Sequence, residues 1–403
     1  MDFYFSYFQS IGNGYFFDSF KVVIFACIML SNIFNKEVEQ LFTTPIVQQT
    51  AFWSIVKKKL GVSTLAINFK SNKSFLYNNS ESKDDNIVSD LLVIVRAINQ
   101  NHSIAYVPYG PELEPDDEFQ GLFLEELSEC IRSFLPKNCI MIRYDLCWES
   151  YWAKEKDYFD DFGHWKGEPE VKTQEMRFNF NTINWNFKKS LSNILPSNTI
   201  YVDLLKKNEE ILADMKPKTR YNIGLAYKKG VVVKSSDIEN IDIWYKLYKE
   251  TAKRNNILVN DIKYFTAVLS ARTNDVRSPA EVKLLIAEYN NQPLAAMFLV
   301  ITGNRGTYLY GASSSENRNL MATYALQWEA IKISKASGCS EYDMFGVSPN
   351  PDPNHPLYGL YRFKTGFGGE IYHSLGCWDY PLDVEKHRYF TALELTEQGY
   401  HLN

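Results

Sequence analysis

Between Val282 and Ser314 the chain reads VKLLIAEYNNQPLAAMFLVITGNRGTYLYGASS, three apolar runs broken only by Asn/Gly turns. Runs of this length, rich in Val, Ile, Phe and Tyr and bounded by turn residues, make strands. The next stretch, NLMATYALQWEAIKISKASG, has helical periodicity and a stop at Gly338, and EYDMFGV then returns to strand. Three strands, a helix and another strand in one uninterrupted segment require a mixed α/β unit built on a sheet.

The first half has a comparable alternation. Residues 35–60 read as helical up to Gly61, STLAINF and IAYVPYGPEL as strands, FLEELSECIRSFL as a helix and CIMIRYDL as a strand. Residues 148–175 are charged and aromatic without a period and read as an insertion. The pattern restarts at TIYVDL, followed by a helical stretch broken near Pro217, the strand VVVKSS and helices over about 238–256 and 261–272. The expectation is an α/β (α+β) chain of two lobes. The first comprises residues 35–196 plus 376–403, and the second residues 197–375. An apolar extension, 1–34, precedes them.

Composition removes several functional classes. The 403 residues are 45% hydrophobic and 23% charged, the balance of a globular chain. A net charge of −5 argues against general coating of nucleic acid, which wants a basic field, but allows a local basic patch. Six cysteines form no CxxC pair and no HExxH accompanies them, so a zinc site is not expected. The run FKVVIFACIMLSNIF, residues 20–34, falls short of the ~20 residues of a spanning helix and lacks a basic flank. It reads as a packed or peripheral helix on a cytoplasmic protein.

Three motifs carry charge or shape suited to chemistry. The segment MKPKTRYNIGLAYKKGV holds Lys216, Lys218, Arg220, Lys228 and Lys229 on two helix faces, as a phosphate-facing surface would or as an ordinary solvated helix would. In YLYGASSSENRNLMATY a strand feeds a helix through a loop with Arg318 but none of the glycines of a pyrophosphate cradle. That weakens an acyl-CoA N-acyltransferase reading. In YDMFGVSPNPDPNHPLYGLYRFKTGFGGE a proline-rich loop leads to Lys364, framed by aromatics and glycines, where an ammonium could meet an oxyanion.

These motifs, in this order and with AFWSIVKK, YVPYGP and IRYD upstream, resemble the FemABX family of peptidoglycan interpeptide-bridge aminoacyltransferases. The resemblance covers most of residues 40–380, in the compact form without a coiled-coil arm. It implies two GNAT-like domains with a cleft between them and two substrates. One is an aminoacyl-tRNA. The other is a peptidoglycan precursor (lipid II or UDP-MurNAc-pentapeptide) with a free stem-peptide amine. Carried over by residue, Lys57 would hold the precursor's phosphates, and Tyr264 and Tyr310 would belong to the precursor site. Asn260 stands where some relatives place an arginine. Lys364 would lie at the aminoacyl ester, Asp145 near the acceptor amine, and the five basic residues of 216–229 against tRNA. A monomer with peripheral membrane contact is expected. A non-catalytic tRNA-binding or wall-associated protein is the alternative of a different class.

Overall fold

A computed structural model describes residues 29–78, 85–256, 258–273 and 275–396. Most of the apolar N-terminal run lies outside the described residues. Its tail is not helical: Leu30–Lys36 forms strand β1, paired with Ser63–Asn72 (β2). The helix expected over 35–60 is shorter as well. Two single 3₁₀ turns precede α1, Ala51–Lys59, which starts where the Thr50 hydroxyl accepts the Trp53 amide and stops before Gly61 at φ 76°. No helix among the described residues is long and apolar enough to cross a membrane.

The first half continues with Asn86–Ala97 (β3), Ser103–Pro108 (β4), Gln120–Ile131 (α2) and Cys139–Glu149 (β5). Strands β2, β3 and β4 pair antiparallel, and α2 then crosses over so that β5 lies parallel to β4. The expected insertion is mostly irregular and runs into helix α3, Val171–Asn179, and the two-residue strand β6, Lys188–Lys189.

The second half repeats the scheme. After Asn198–Asp203 (β7), Asn208–Asp214 (α4), Pro217–Lys228 (α5), Val232–Ser236 (β8), Ile241–Asn255 (α6) and Ile262–Ser270 (α7) comes the predicted meander. Its strands are Ala280–Tyr289 (β9), Gln292–Thr302 (β10) and Arg305–Ser313 (β11). They are antiparallel, and α8, Ala322–Ala336, crosses over to β12, Glu341–Asp343, which is parallel to β11. Each half is thus an antiparallel meander closed by one helix and one parallel strand, the GNAT-like arrangement.

One strand joins the halves. After the short helix α9, Tyr358–Lys364, strand β13 spans Glu370–Pro381. Its first four residues pair with β7 and the rest with β5, so the sheet runs unbroken from β1 to β8. Helix α10, Val384–Thr396, then returns to the first half, where Arg143 on β5 holds it through Glu394. A large apolar core packs in each half, another is shared, and a small cluster of Ile104, Ile140, Met141 and Phe390 lies under α10. In the shared core Phe52 and Trp53 of α1 lie in one cluster with Trp244 of α6, Phe265 of α7 and Phe298 of β10.

Candidate functional site

Lys364 ends α9 and is only 4% exposed. Its Nζ donates to the carbonyls of Gly346 (2.6 Å) and Phe345 (3.0 Å) and lies 5.3 Å from the centre of the Tyr308 ring. Removal from water pulls its pKa down to about 7, with Asp343 offsetting part of the fall. An ammonium has three N–H donors; the two carbonyls engage two of them. Phe345 takes φ 59° and packs edge-on against Tyr109 of the first half, with ring centres 6.2 Å apart. The loop that grips Lys364 therefore faces the junction between the halves.

A small cavity of about 30 Å³ lies in that junction, with Gln48, Tyr109, Tyr201, Arg305, Asp343 and Tyr372 among the residues of a largely apolar wall. Asp343 accepts from the Phe345 amide and the Thr199 hydroxyl, and burial pushes its carboxyl upward against the pull of Arg305. The Nε2 of Gln48 is buried and has no partner among the described residues. Sequence reading missed Gln48, Tyr109 and Arg305 because the residues of this wall come from separate strands and loops.

Asp145 is 0% exposed. One of its oxygens accepts from the Leu195 amide (2.7 Å) and the Tyr106 hydroxyl (2.9 Å), and the Cys377 thiol lies alongside. Burial lifts its pKa to about 6, although these donors oppose the rise. In this arrangement the carboxylate fastens the crossing segment at Leu195 to β4 and β5 and does not touch open solvent.

Lys57, Tyr264 and Tyr310, far apart in sequence, come together. The Tyr264 and Tyr310 hydroxyls share a hydrogen bond of 2.7 Å. The Lys57 Nζ sits 4.9 Å from the Trp53 ring centre and 5.6 Å from that of Tyr264. Burial, then the positive charge of Arg96, lowers the Lys57 pKa to about 8. A lysine that is depressed by burial and by a second cation gains from an incoming anion. Arg96, on β3, carried no sequence signal. Asn260 is placed by its backbone N–H, which donates to the Tyr248 hydroxyl (3.3 Å).

The five basic residues divide. Arg220, although exposed, folds its guanidinium back onto carbonyls at the end of α4, among them Ala213 (3.1 Å) and Met215. Lys216 donates to the Thr365 hydroxyl (3.1 Å), and its amide donates to the Gly366 carbonyl. Lys218, Lys228 and Lys229 are exposed, with no ion pair among the described residues. A Cβ on Gly366 would fall 2.3 Å from the Thr219 hydroxyl, so α5 is seated directly on the turn after Lys364.

The family model described as the FemAB family matches residues 47–277 and 271–394. The lipid II:glycine glycyltransferase of Staphylococcus epidermidis (strain ATCC 12228 / FDA PCI 1200) is 25% identical over 256 residues. That of Staphylococcus aureus (strain USA300) is 25% identical over 263 residues. Each alignment covers 49% of this chain and 62% of the relative, so the chain matches less than two thirds of those proteins. A solved structure described as the crystal structure of FemX superposes with a TM-score of 0.66 at 18% identity, covering 90% of this chain and 100% of that one.

Proposed function

Because the chain belongs to the FemAB family, we propose that it is an aminoacyltransferase that moves an amino acid from aminoacyl-tRNA to the free stem-peptide amine of a peptidoglycan precursor. The observation that carries this reading is Lys364, a buried lysine held by the carbonyls of Phe345 and Gly346, in the loop that follows Asp343 of the cavity wall. The relatives' printed name, lipid II:glycine glycyltransferase, supports a lipid-linked acceptor.

The chemistry follows from the charges. The donor is an ester, so forming an amide from it runs downhill without a nucleotide. A neutral amine attacks the ester carbonyl, and the oxygen gains negative charge. The free N–H of Lys364 meets that oxygen inside a site without bulk water, where one such donor is worth roughly 10²–10³ in rate. The carbon–oxygen bond to the ribose then breaks, and the proton shed by the amine passes to the departing ribose oxygen. Alignment of the two substrates supplies much of the acceleration. Asp145 serves as a positioning residue that holds the crossing segment at Leu195.

Lys57, with Tyr264 and Tyr310, takes the phosphates of the precursor. Lys57→Met is expected to raise the precursor KM by about 10–100-fold, the worth of one charge-assisted contact, with a smaller change in kcat. Since Lys57 loses its proton above about pH 8, the wild-type KM should climb as pH passes that value, and the Met variant should show no such climb. A KM unchanged by the substitution removes Lys57 from the phosphate site.

Lys218, Lys228 and Lys229 face the tRNA. Replacing all three by Glu is expected to weaken aminoacyl-tRNA binding at least about tenfold and to flatten its dependence on salt, as each lost phosphate contact lowers the slope by ~0.7–0.9. Arg220→Ala should instead lower stability and leave the salt slope intact, because its guanidinium is engaged within the protein. The overall test is a reaction of purified protein, aminoacyl-tRNA and precursor, followed by mass spectrometry of the product. No added residue on the stem peptide refutes the proposal.

A further inference from the structure

Most polar groups around the interlobe cavity are already engaged, and one carboxylate is not. The Arg305 Nε donates to Glu341 (2.9 Å), a second guanidinium nitrogen lies 2.8 Å from the same carboxylate, and the group sits 4.7 Å from the centre of the Tyr201 ring. The hydroxyls of Tyr109 and Tyr372 donate to the carbonyls of Pro196 (2.6 Å) and Cys147 (3.0 Å). Asp343 differs. Its Oδ1 accepts from both the Thr199 hydroxyl and the Phe345 amide, whereas its Oδ2 accepts no hydrogen bond among the described residues. A carboxylate offers about four acceptor sites, so half of this one is unused in the wall of a cavity, on a residue only 7% exposed. In the same wall Gln48, 3% exposed, has an Nε2 without a partner. Buried polar groups left open around one small space point to a ligand that fills them.

Asp343 also stands next to the reacting centre. It ends β12, and the carbonyls of Phe345 and Gly346 that hold the Lys364 Nζ follow it directly. The two charges act on each other, each offsetting part of the shift that burial imposes on its partner. In an aminoacyl ester the α-nitrogen and the carbonyl oxygen are separated by two carbons. A group that receives the nitrogen must therefore sit beside the group that receives the oxygen.

We propose that Asp343 is a substrate-binding residue whose Oδ2 takes the α-ammonium of the aminoacyl group, with the nitrogen and α-carbon filling the cavity among the rings of Tyr109, Tyr201 and Tyr372. A volume of about 30 Å³ holds roughly two water-sized atoms, which is this fragment, and aromatic faces attract an ammonium. Charge decides which of the two amines is received. Contact with a carboxylate keeps an amine protonated. The acceptor amine has to lose its proton before it attacks, so it is poorly served by such a contact. The donor's α-amino group takes no part in bond making, and as an ammonium it draws electrons from the ester carbonyl. This inference rests on the transfer proposed above and adds the residue that reads the donor's amine.

The test compares glycyl-tRNA with glycolyl-tRNA, in which a hydroxyl replaces the ammonium, on wild type and Asp343→Asn. Asparagine keeps an oxygen for Thr199 and the Phe345 amide and removes only the charge. The glycyl-over-glycolyl ratio of kcat/KM is expected to fall about 10–100-fold in the variant, the worth of one charge-assisted contact. Comparing ratios cancels the different reactivities of the two esters. An unchanged ratio, whether or not both rates drop together, makes Asp343 part of the framework and the cavity a site for water, and overturns the inference while leaving the transfer intact. A second measurement needs neither the variant nor turnover. By ligand-detected NMR the full-length wild type should bind glycinamide at least about tenfold more tightly than glycolamide. Equal binding, or none, also overturns the inference. Absence of any transfer refutes the proposed reaction instead, and the glycinamide preference still reports on the cavity.

Discussion

Lys364→Met is expected to lower turnover by about 10²–10³ while leaving thermal stability equal to or above that of the wild type. Both effects have one cause. Burial holds the Lys364 pKa near 7, far below its unfolded value of ~10.4. Between those values the unfolded chain binds a proton that the folded chain does not, so this group makes stability rise with pH across the window. Below about pH 7 the folded protein carries a charge it must keep away from water. Methionine fills similar space without that charge, although it leaves the Phe345 and Gly346 carbonyls without their donor. A purely structural lysine would give the opposite pattern, with lost stability and intact turnover. For a catalytic ammonium the wild-type rate should also fall as pH rises through about 7, unless bound substrate raises the pKa. Stopped-assay rates and a melting curve on one preparation decide between the two roles.

The largest stability effect is expected at Arg143, which touches no proposed substrate. This side chain is 1% exposed. It donates to both oxygens of Asp379 at 2.6 and 2.8 Å and to both of Glu394 at 2.7 and 2.9 Å, while His387 contacts Asp379 at 3.1 Å. Arg143→Met leaves two carboxylates buried without their cation, a change that costs about 3–5 kcal/mol. That is a large share of the ~5–15 kcal/mol that holds an ordinary domain. Urea unfolding should show the loss as a lower midpoint, and limited proteolysis should release α10 first. The pH dependence has a definite sign. Burial alone would raise the Asp379 carboxyl, but Arg143 and then His387 overcome it and hold the pKa below the usual value. The contribution is therefore complete above about pH 4, the unfolded carboxyl range, and is lost as the pH falls further. A variant within about 0.5 kcal/mol of wild type would show that the network is not a clamp.

The readable parts of the fold were those with helical periodicity or an apolar run closed by turn residues. Strands β9 to β11 were read as apolar runs bounded by Asn/Gly turns, and helices α2, α6 and α8 follow the periodicity of a face buried on one side. Strand β13 was missed. It lies inside the sheet and is buried along most of its length, so EIYHSLGCWDYP has no alternation, and its Gly376 and Pro381 suggest a loop. The apolar end of the N-terminal run was misread as helix because a short apolar run does not separate strand from helix. Lys57, Tyr264, Tyr310 and Lys364 were singled out through the family resemblance, and the meeting of the first three in space could not be read from spacing. Arg96, Gln48 and Arg305 had no local pattern; only the folded sheet brings them to their sites.

The strand shared by both lobes also sets the order in which the protein can be assembled. During synthesis the edges of β5 and β7 emerge long before Glu370 leaves the ribosome, so each lobe waits with an open sheet edge for the same late segment. Neither lobe's sheet has its full complement of strands until that segment is in place. Both close together when that single strand slides between them, and any nascent chain that stalls before residue 370 exposes two sticky edges at once.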